Sequence, residues 1–338
     1  MLTPDFWRTK QTDVAEALSR VKKGEVKKLC TSAGGRDVMY VSYGEKEDFG
    51  RTANYNSACG ALDTRYYANK EGKRPVVLLV GGIHAQELEG TASIMNLIRL
   101  LETGTDYQNQ PYAFFTELVA QQKARLILIP ICNPDGRARQ PLDSMVGQTE
   151  EQMHYYGQGT WKDGSPCNWP GCKSVHPIKD AADHLGAYFN DDGVNFMHDN
   201  FFLPMAEETR ALMQLVDDEA PDFTLLLHGC PHESAYFLYT EYVAPFVYED
   251  LEKLSFAIKD ACLAKGLKFR AYPYVPKKDQ KAPSRFNLAS AIHHICGGIA
   301  ATLESGQGLG EYDGGKFNEI IQRHYIIFEQ ILRSCGVE

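Results

Sequence analysis

The sequence predicts an α/β protein in which a mixed, largely parallel sheet is sandwiched between helices. Three observations carry that expectation. Four apolar runs, at Val76–Val80 and at residues 125–130, 223–227 and 299–303, are nearly continuous, as strands buried on both faces must be. Helical stretches separate them, the alternation that builds a sheet covered on both sides. Polar or glycine-containing sequence follows each run, so the loops of a site are expected to gather beyond the carboxyl edge of the sheet.

Taken in chain order, Thr3-Pro4 reads as an N-cap and first-turn proline opening a helix that runs to about residue 23. Residues 27–30 and 38–43 read as short strands around a turn at Gly34-Gly35. The run at Val76–Val80 breaks off into Gly81-Gly82-Ile83-His84, after which Ile94, Leu97, Ile98 and Leu101 recur at helical spacing over residues 90–102. Residues 141–195, rich in Gly, Asp, Trp and Tyr, show little periodicity and are expected to form loops over the sheet edge. Further helices are expected over residues 207–216 and 245–265, around His293 and His294, and over 316–334. In the last of these, Phe317, Ile320, Ile321, Phe328, Ile331 and Leu332 form a core-facing stripe. No repeat, low-complexity tract or Pro/Ser-rich linker interrupts the pattern, so one domain is expected over residues 1–338, with 1–70 as its N-terminal helix and strand extension.

Composition narrows the class. Against 44 acidic residues stand 35 basic ones, a net charge of −9 without any Lys/Arg-dense block, so nucleic acid is not an expected partner. The N-terminus has no basic stretch followed by an apolar one, and no apolar run approaches the roughly 18 residues that a membrane span needs, so neither secretion nor membrane insertion is expected. Nine cysteines lie singly along the chain, which suits a reducing cytoplasm better than a disulfide framework. Cys167 and Cys172, with His176 nearby, lack the second ligand pair that a structural zinc site would show.

Chemistry concentrates where the strands end. His84 and Glu87, three residues apart after the first apolar run, can reach one ion from a single turn. The third run ends in His228 and the fourth in Glu304. Two imidazoles and a carboxylate leave a tetrahedral zinc one open position, and a further carboxylate can take the proton of a water there. Singly, each residue has a plainer reading as a hydrogen-bonded strand end or a solvated surface group. Their joint placement on one edge favours the catalytic one.

With these residues in view, the sequence resembles the zinc carboxypeptidase family. His84-Ala85-Gln86-Glu87 is similar to its His-x-x-Glu pair, Asn133-Pro134-Asp135-Gly136 to its Asn-Pro-Asp-Gly turn, and Gly193-Val194-Asn195 to its Gly-Val-Asp segment. Glu207-Glu208-Thr209-Arg210-Ala211-Leu212 is similar to a helix start, Leu227-His228-Gly229 to the third-ligand strand, and Leu303-Glu304 to the strand of the catalytic glutamate. The likeness spans about residues 75 to 310. It implies a mixed eight-stranded sheet between helices, one zinc ion held by His84, Glu87 and His228, and cleavage of an amide bond by zinc-water attack with Glu304 as general base. The expected substrate is a peptide. A deacylase of N-acyl amino acids or small amides on the same scaffold is the alternative, and a non-catalytic binding protein is disfavoured by Glu304.

The departures from the family pattern concern the substrate. Met197-His198 stands where the family has the Asn-Arg pair that grips a terminal carboxylate, Asn195 replaces the aspartate behind the first zinc histidine, and Gln86 replaces an arginine often found there. Lys162, after Trp161, and Arg137 are the candidates for polarising the scissile carbonyl. Arg139, His198 and Asn195 are the candidates on the substrate side. Unless Lys162, Arg137 or Arg139 supplies the missing charge, weak recognition of free C-termini is expected, because a neutral imidazole cannot match the paired bonds of a guanidinium. Tyr272 and Tyr274 are candidates for the family's mobile tyrosine. His232, Glu233, His293 and His294 read as loop, surface or core residues, with Glu233 as the reserve base, and Asp191-Asp192 reads as a solvated turn.

Overall fold

The computed structural model describes residues 3–203, 205–231, 236–273, 286–310 and 315–338. Its first half runs α1 (Gln11–Ser19), β1 (Glu25–Thr31), β2 (Asp37–Tyr43), α2 (Tyr55–Gly60), β3 (Val76–Val80), α3 (Leu88–Thr103), α4 (Ala113–Ala120), β4 (Arg125–Ile129) and α5 (Pro134–Arg139). The second half runs α6 (Glu150–Gly157), β5 (Gly159–Trp161), β6 (Ala182–Leu185), α7 (Glu207–Glu219), β7 (Phe223–Cys230), β8 (Phe237–Tyr239), α8 (Pro245–Leu263), α9 (Leu288–Cys296), β9 (Ile299–Gly306) and α10 (Gly315–Ser334).

The four apolar runs become the four central strands. In the order β1-β2-β4-β3-β7-β9-β8, strands β4, β3, β7 and β9 are parallel neighbours, while antiparallel strands complete each side. Seven strands, not eight, form this sheet among the described residues. Two more strands, β5 and β6, stand apart from it and pair with each other. The register is continuous across the centre. Leu79 pairs with Leu128 on one side and Leu225 on the other, and Leu225 pairs with Ala301.

Alternation along these strands separates two cores. Val77, Leu79, Leu225 and Leu227 face Leu97, Leu101, Leu254, Phe317, Ile320 and Ile327, contributed by α3, α8 and α10. Val76, Leu78, Val80 and Leu226 face Leu212, Val216, Leu288 and Ile292 of α7 and α9. Each such side chain contributes about 1.5–3 kcal/mol when fully buried, which is why the pattern was legible in the sequence.

Two glycines shape the approach to the sheet edge. Gly82 has φ +60°, a left-handed conformation that turns the chain out of β3. At Gly90 a Cβ would lie 2.5 Å from the Cβ of Leu227, so α3 rests on β7 at a distance only glycine permits.

Several boundaries differ from expectation. The first helix starts at Gln11 and ends at Ser19, because residues 7–9 are held by other bonds: Trp7 Nε1 and Thr9 Oγ1 both donate to the Asp143 carbonyl. The segment 141–195 is not all loop. Thr149 and Gln152 form a capping box that starts α6, and the β5–β6 hairpin follows. No helix among the described residues is long and apolar enough to cross a membrane.

Arg125, at the start of β4, is buried and makes a two-pronged bond to Glu219 at the end of α7, at 2.6 and 2.9 Å. Removing one partner strands the other charge in the interior. Glu219→Ala is therefore expected to lower stability by about 3–5 kcal/mol, read from denaturant unfolding. A loss below 1 kcal/mol would show that the pair does not tie α7 to the sheet.

Candidate active site

His84 leaves the turn after β3, Glu87 is the N-cap of α3, and His228 lies near the end of β7. All three are buried, and their ligand atoms lie within 4.8 Å of one another, the one such group of His, Cys, Asp and Glu among the described residues. Glu87 spans both rings: Oε1 is 3.0 Å from His84 Nδ1 and Oε2 is 2.8 Å from His228 Nδ1. The two Nδ1 atoms are themselves 3.1 Å apart.

The tautomer of His84 follows from Asn195. Asn195 Oδ1 accepts the backbone N–H of Met197 at 3.0 Å, so it is the amide oxygen that faces His84 Nε2 at 3.1 Å. His84 Nε2 then carries the proton, and its Nδ1 lone pair points at Glu87 and His228. Tyr188 stacks on the ring at 3.4 Å between centroids and 18° between planes, which fixes its orientation. Burial alone would raise the Glu87 carboxyl, but the facing imidazoles outweigh it and hold Glu87 below the usual carboxylate range. Two nitrogen donors and one anionic oxygen converging on a point, with a hydrogen-bonded residue behind one imidazole, suit a zinc ion with an open fourth position.

Glu304 stands beside this group because β7 and β9 pair in parallel with His228 opposite Glu304. Burial pushes its carboxyl up to about 7, with the charge of Glu87 adding to the shift and those of His228 and Lys173 opposing it. The Tyr239 hydroxyl, on the neighbouring β8, also faces Glu304 and favours the ionised form. A carboxyl poised near neutrality matches the requirement for a general base.

The zinc carboxypeptidase family model matches residues 19–274. The chain belongs to the zinc carboxypeptidase family. Solved structures agree in fold. A metallo-carboxypeptidase from Burkholderia cenocepacia superposes with a TM-score of 0.60 at 14% identity, covering 96% of this chain and 69% of that one. One from Pseudomonas aeruginosa gives 0.54 at 15% identity, covering 96% and 68%. Bovine thrombin-activatable fibrinolysis inhibitor gives 0.55 at 10% identity, covering 98% and 99%. No match is found among curated protein sequences.

Within this family member, the expected cations are not where sequence reasoning put them. Arg137 is buried, and its donors go to the carbonyls of Thr9 and Gln140 and to Asp143. Arg139 is likewise claimed by the carbonyls of Leu185, Gly186, Phe189 and Asn190 and by Asp191. Neither guanidinium has a fork left for substrate. Lys162 is exposed at the end of the β5–β6 hairpin, where its backbone N–H donates to Ala181. His198 does sit near His84 and His228, but burial, with the charge of Lys173 next, lowers it to about 3, so it is neutral. Asp199 gives it no help, being turned to the N–H groups of Asn200 and Ala206. Met197 is packed into the apolar core, and Asn195 serves His84 instead of the substrate.

Other readings change too. Asp191 and Asp192 do form a turn with Asp192 exposed, but the Asp191 side chain is bonded by both Arg36 and Arg139. Cys167 and Cys172 are buried with Ile178, Tyr188 and Phe189, and burial pushes both thiols up to about 11. Tyr272 is exposed beside Phe237. Tyr274, His232 and Glu233 lie outside the described residues. Sequence reasoning missed Tyr188 and Tyr239. Neither belongs to a recognisable spacing, and only the chain's long-range packing brings them to the sheet edge.

Elemental analysis is expected to find about one zinc per chain. His84→Ala and His228→Ala should each lose it while remaining folded, and Asn195→Ala should weaken zinc binding about 10–100-fold. Full zinc retention in both histidine variants would remove the assignment.

Proposed function

We propose that this protein is a zinc-dependent hydrolase that cleaves amide bonds as a carboxypeptidase-like peptidase. The observation that carries this reading is the convergence of His84, Glu87 and His228 with Glu304 directly across the β7–β9 pairing. Zinc, when bound, supplies Lewis-acid polarisation of the scissile carbonyl and a more acidic water.

The chain's own residues account for the remaining steps. His84, Glu87 and His228 would hold the ion, with Asn195 and Tyr188 keeping the His84 ring in its plane. Glu304 accepts a proton from the attacking water at its carboxylate and returns it to the departing amine nitrogen. Its half-buried setting raises the basicity of that carboxylate.

Deacylation of an N-acyl amino acid is the second reading. It is favoured by the replacement of the family's carboxylate-gripping pair with a core methionine and a neutral histidine. Both readings use the same base. The Pseudomonas structure holds a substituted succinic acid, and a substrate with an anionic group suits either reading here.

Glu304→Gln is expected to keep its zinc and fold and to lose about two to four orders of magnitude in turnover. Turnover is to be measured on N-acetylated dipeptides and N-acetyl amino acids side by side, which also separates the two readings. Near-normal turnover by zinc-loaded Glu304→Gln would place the base elsewhere.

A further inference from the structure

Side chains alternate along β7, so Gly229, next to His228, faces the side of the sheet that α3, α8 and α10 cover. Two polar side chains close on that glycine. A Cβ there would lie 2.7 Å from Glu89 Oε2 and 3.0 Å from Gln307 Nε2, so both atoms crowd one point. Glu89 is 0% and Gln307 1% exposed, yet among the described residues neither carboxylate oxygen and neither amide atom has a hydrogen-bond partner. They do not bond one another either. The N–H groups of Leu88 and Glu89, in the first turn of α3, face the carboxylate without completing a bond.

The neighbouring donors are engaged elsewhere. The Tyr236 hydroxyl donates to the Gly306 carbonyl at 3.0 Å. Arg323 lies 3.8 Å from the centre of the Tyr236 ring, donates to the Lys268 carbonyl and pairs with Glu319. A buried charge persists in a protein when it is paired or holds an ion. The donors here are one carboxylate and one amide, whose oxygen and nitrogen exchange places by a half-turn. Oxygen donors carrying a single negative charge, with no imidazole or thiolate among them, suit a hard monovalent cation better than zinc.

We propose that Glu89 and Gln307 form a binding site for an alkali-metal cation, Na+ or K+, separate from the zinc centre. Glu89 belongs to α3, Gly229 to β7, and Gln307 directly follows β9, so a cation there ties together the three elements that carry Glu87, His228 and Glu304. The site does not rest on the hydrolase reading.

The test uses the zinc-loaded full chain in tetramethylammonium acetate, whose cation is too large for a buried gap between two side chains. Sodium or potassium acetate is exchanged in at constant ionic strength, and Tm and zinc content are measured together. One of the two cations should raise Tm saturably at unchanged zinc content, by mass action on the folded state, and the one acting at the lower concentration is the occupant. Glu89→Gln, which keeps the shape and removes the charge, should need at least about tenfold more of that cation, the usual loss when a charged partner is removed. Gln307→Leu should weaken the response as well, so the site is judged even where one variant fails to fold. A wild-type Tm that is the same in all three cations overturns the proposal and leaves Glu89 protonated or hydrated. A response that is undiminished in both variants overturns it too. Tm is read without substrate, so a protein that hydrolyses nothing yet shows the Glu89-dependent response refutes the hydrolase reading alone.

Discussion

Parallel pairing of β7 with β9 places His228 opposite Glu304, and the equally parallel pairing of β3 with β7 brings the turn carrying His84 and Glu87 alongside. The geometry of the site therefore depends on strand register more than on any loop. A slip of one residue would reverse the face of every side chain on a strand, sending Leu225 and Leu227 out of their core together with any displacement of His228. The cost of exposing those aliphatic rows locks the register, and the register locks the ligands. Gly90 adds to this by letting α3 sit against Leu227, so the helix that begins at Glu87 has a defined height above β7.

Burial raises every acidic group of the site, and what each one faces decides the outcome. Glu87 and Glu89 are two residues apart and both are buried. Glu87 faces two imidazoles and stays ionised, whereas burial pushes Glu89 up to about 8, with the charge of Glu87 against it. Glu304 lies between these extremes, since its burial is opposed by His228, Lys173 and the Tyr239 hydroxyl. One low-dielectric sheet edge thus provides an anionic ligand and a carboxyl near neutrality within a few residues of each other.

The arginines illustrate a competing demand. Arg137 and Arg139 follow β4 closely enough to reach the site, but the long segment that covers the sheet edge carries carbonyls that need donors once buried. Its Leu185 and Asn190 carbonyls, together with those of Thr9 and Gln140 outside it, find them in these two guanidiniums. An arginine's several donors make it well suited to knit such a loop, and a guanidinium spent this way has nothing left to polarise a carbonyl.

The sequence by itself determined the fold class, the four central strands and the positions of His84, Glu87, His228 and Glu304 at strand ends. Those features are local: apolar runs report burial on both faces, and the residue that follows a buried strand must emerge at its edge. Short elements were less legible. Strand β8 has three residues and α4 eight, too few for a period to stand out, and the capping box of α6 is buried in an otherwise irregular segment. Tertiary structure alone decided which cations turn inward, because a side chain's direction at the sheet edge is set by distant partners: Asp143 and Asp191 draw Arg137 and Arg139 away. It also decided that Asn195 serves His84, and that Tyr188 joins His84 to the loop carrying Cys172. Asn195 and Tyr188 lie more than a hundred positions from His84, and only the closing of the chain around one sheet edge brings them into contact.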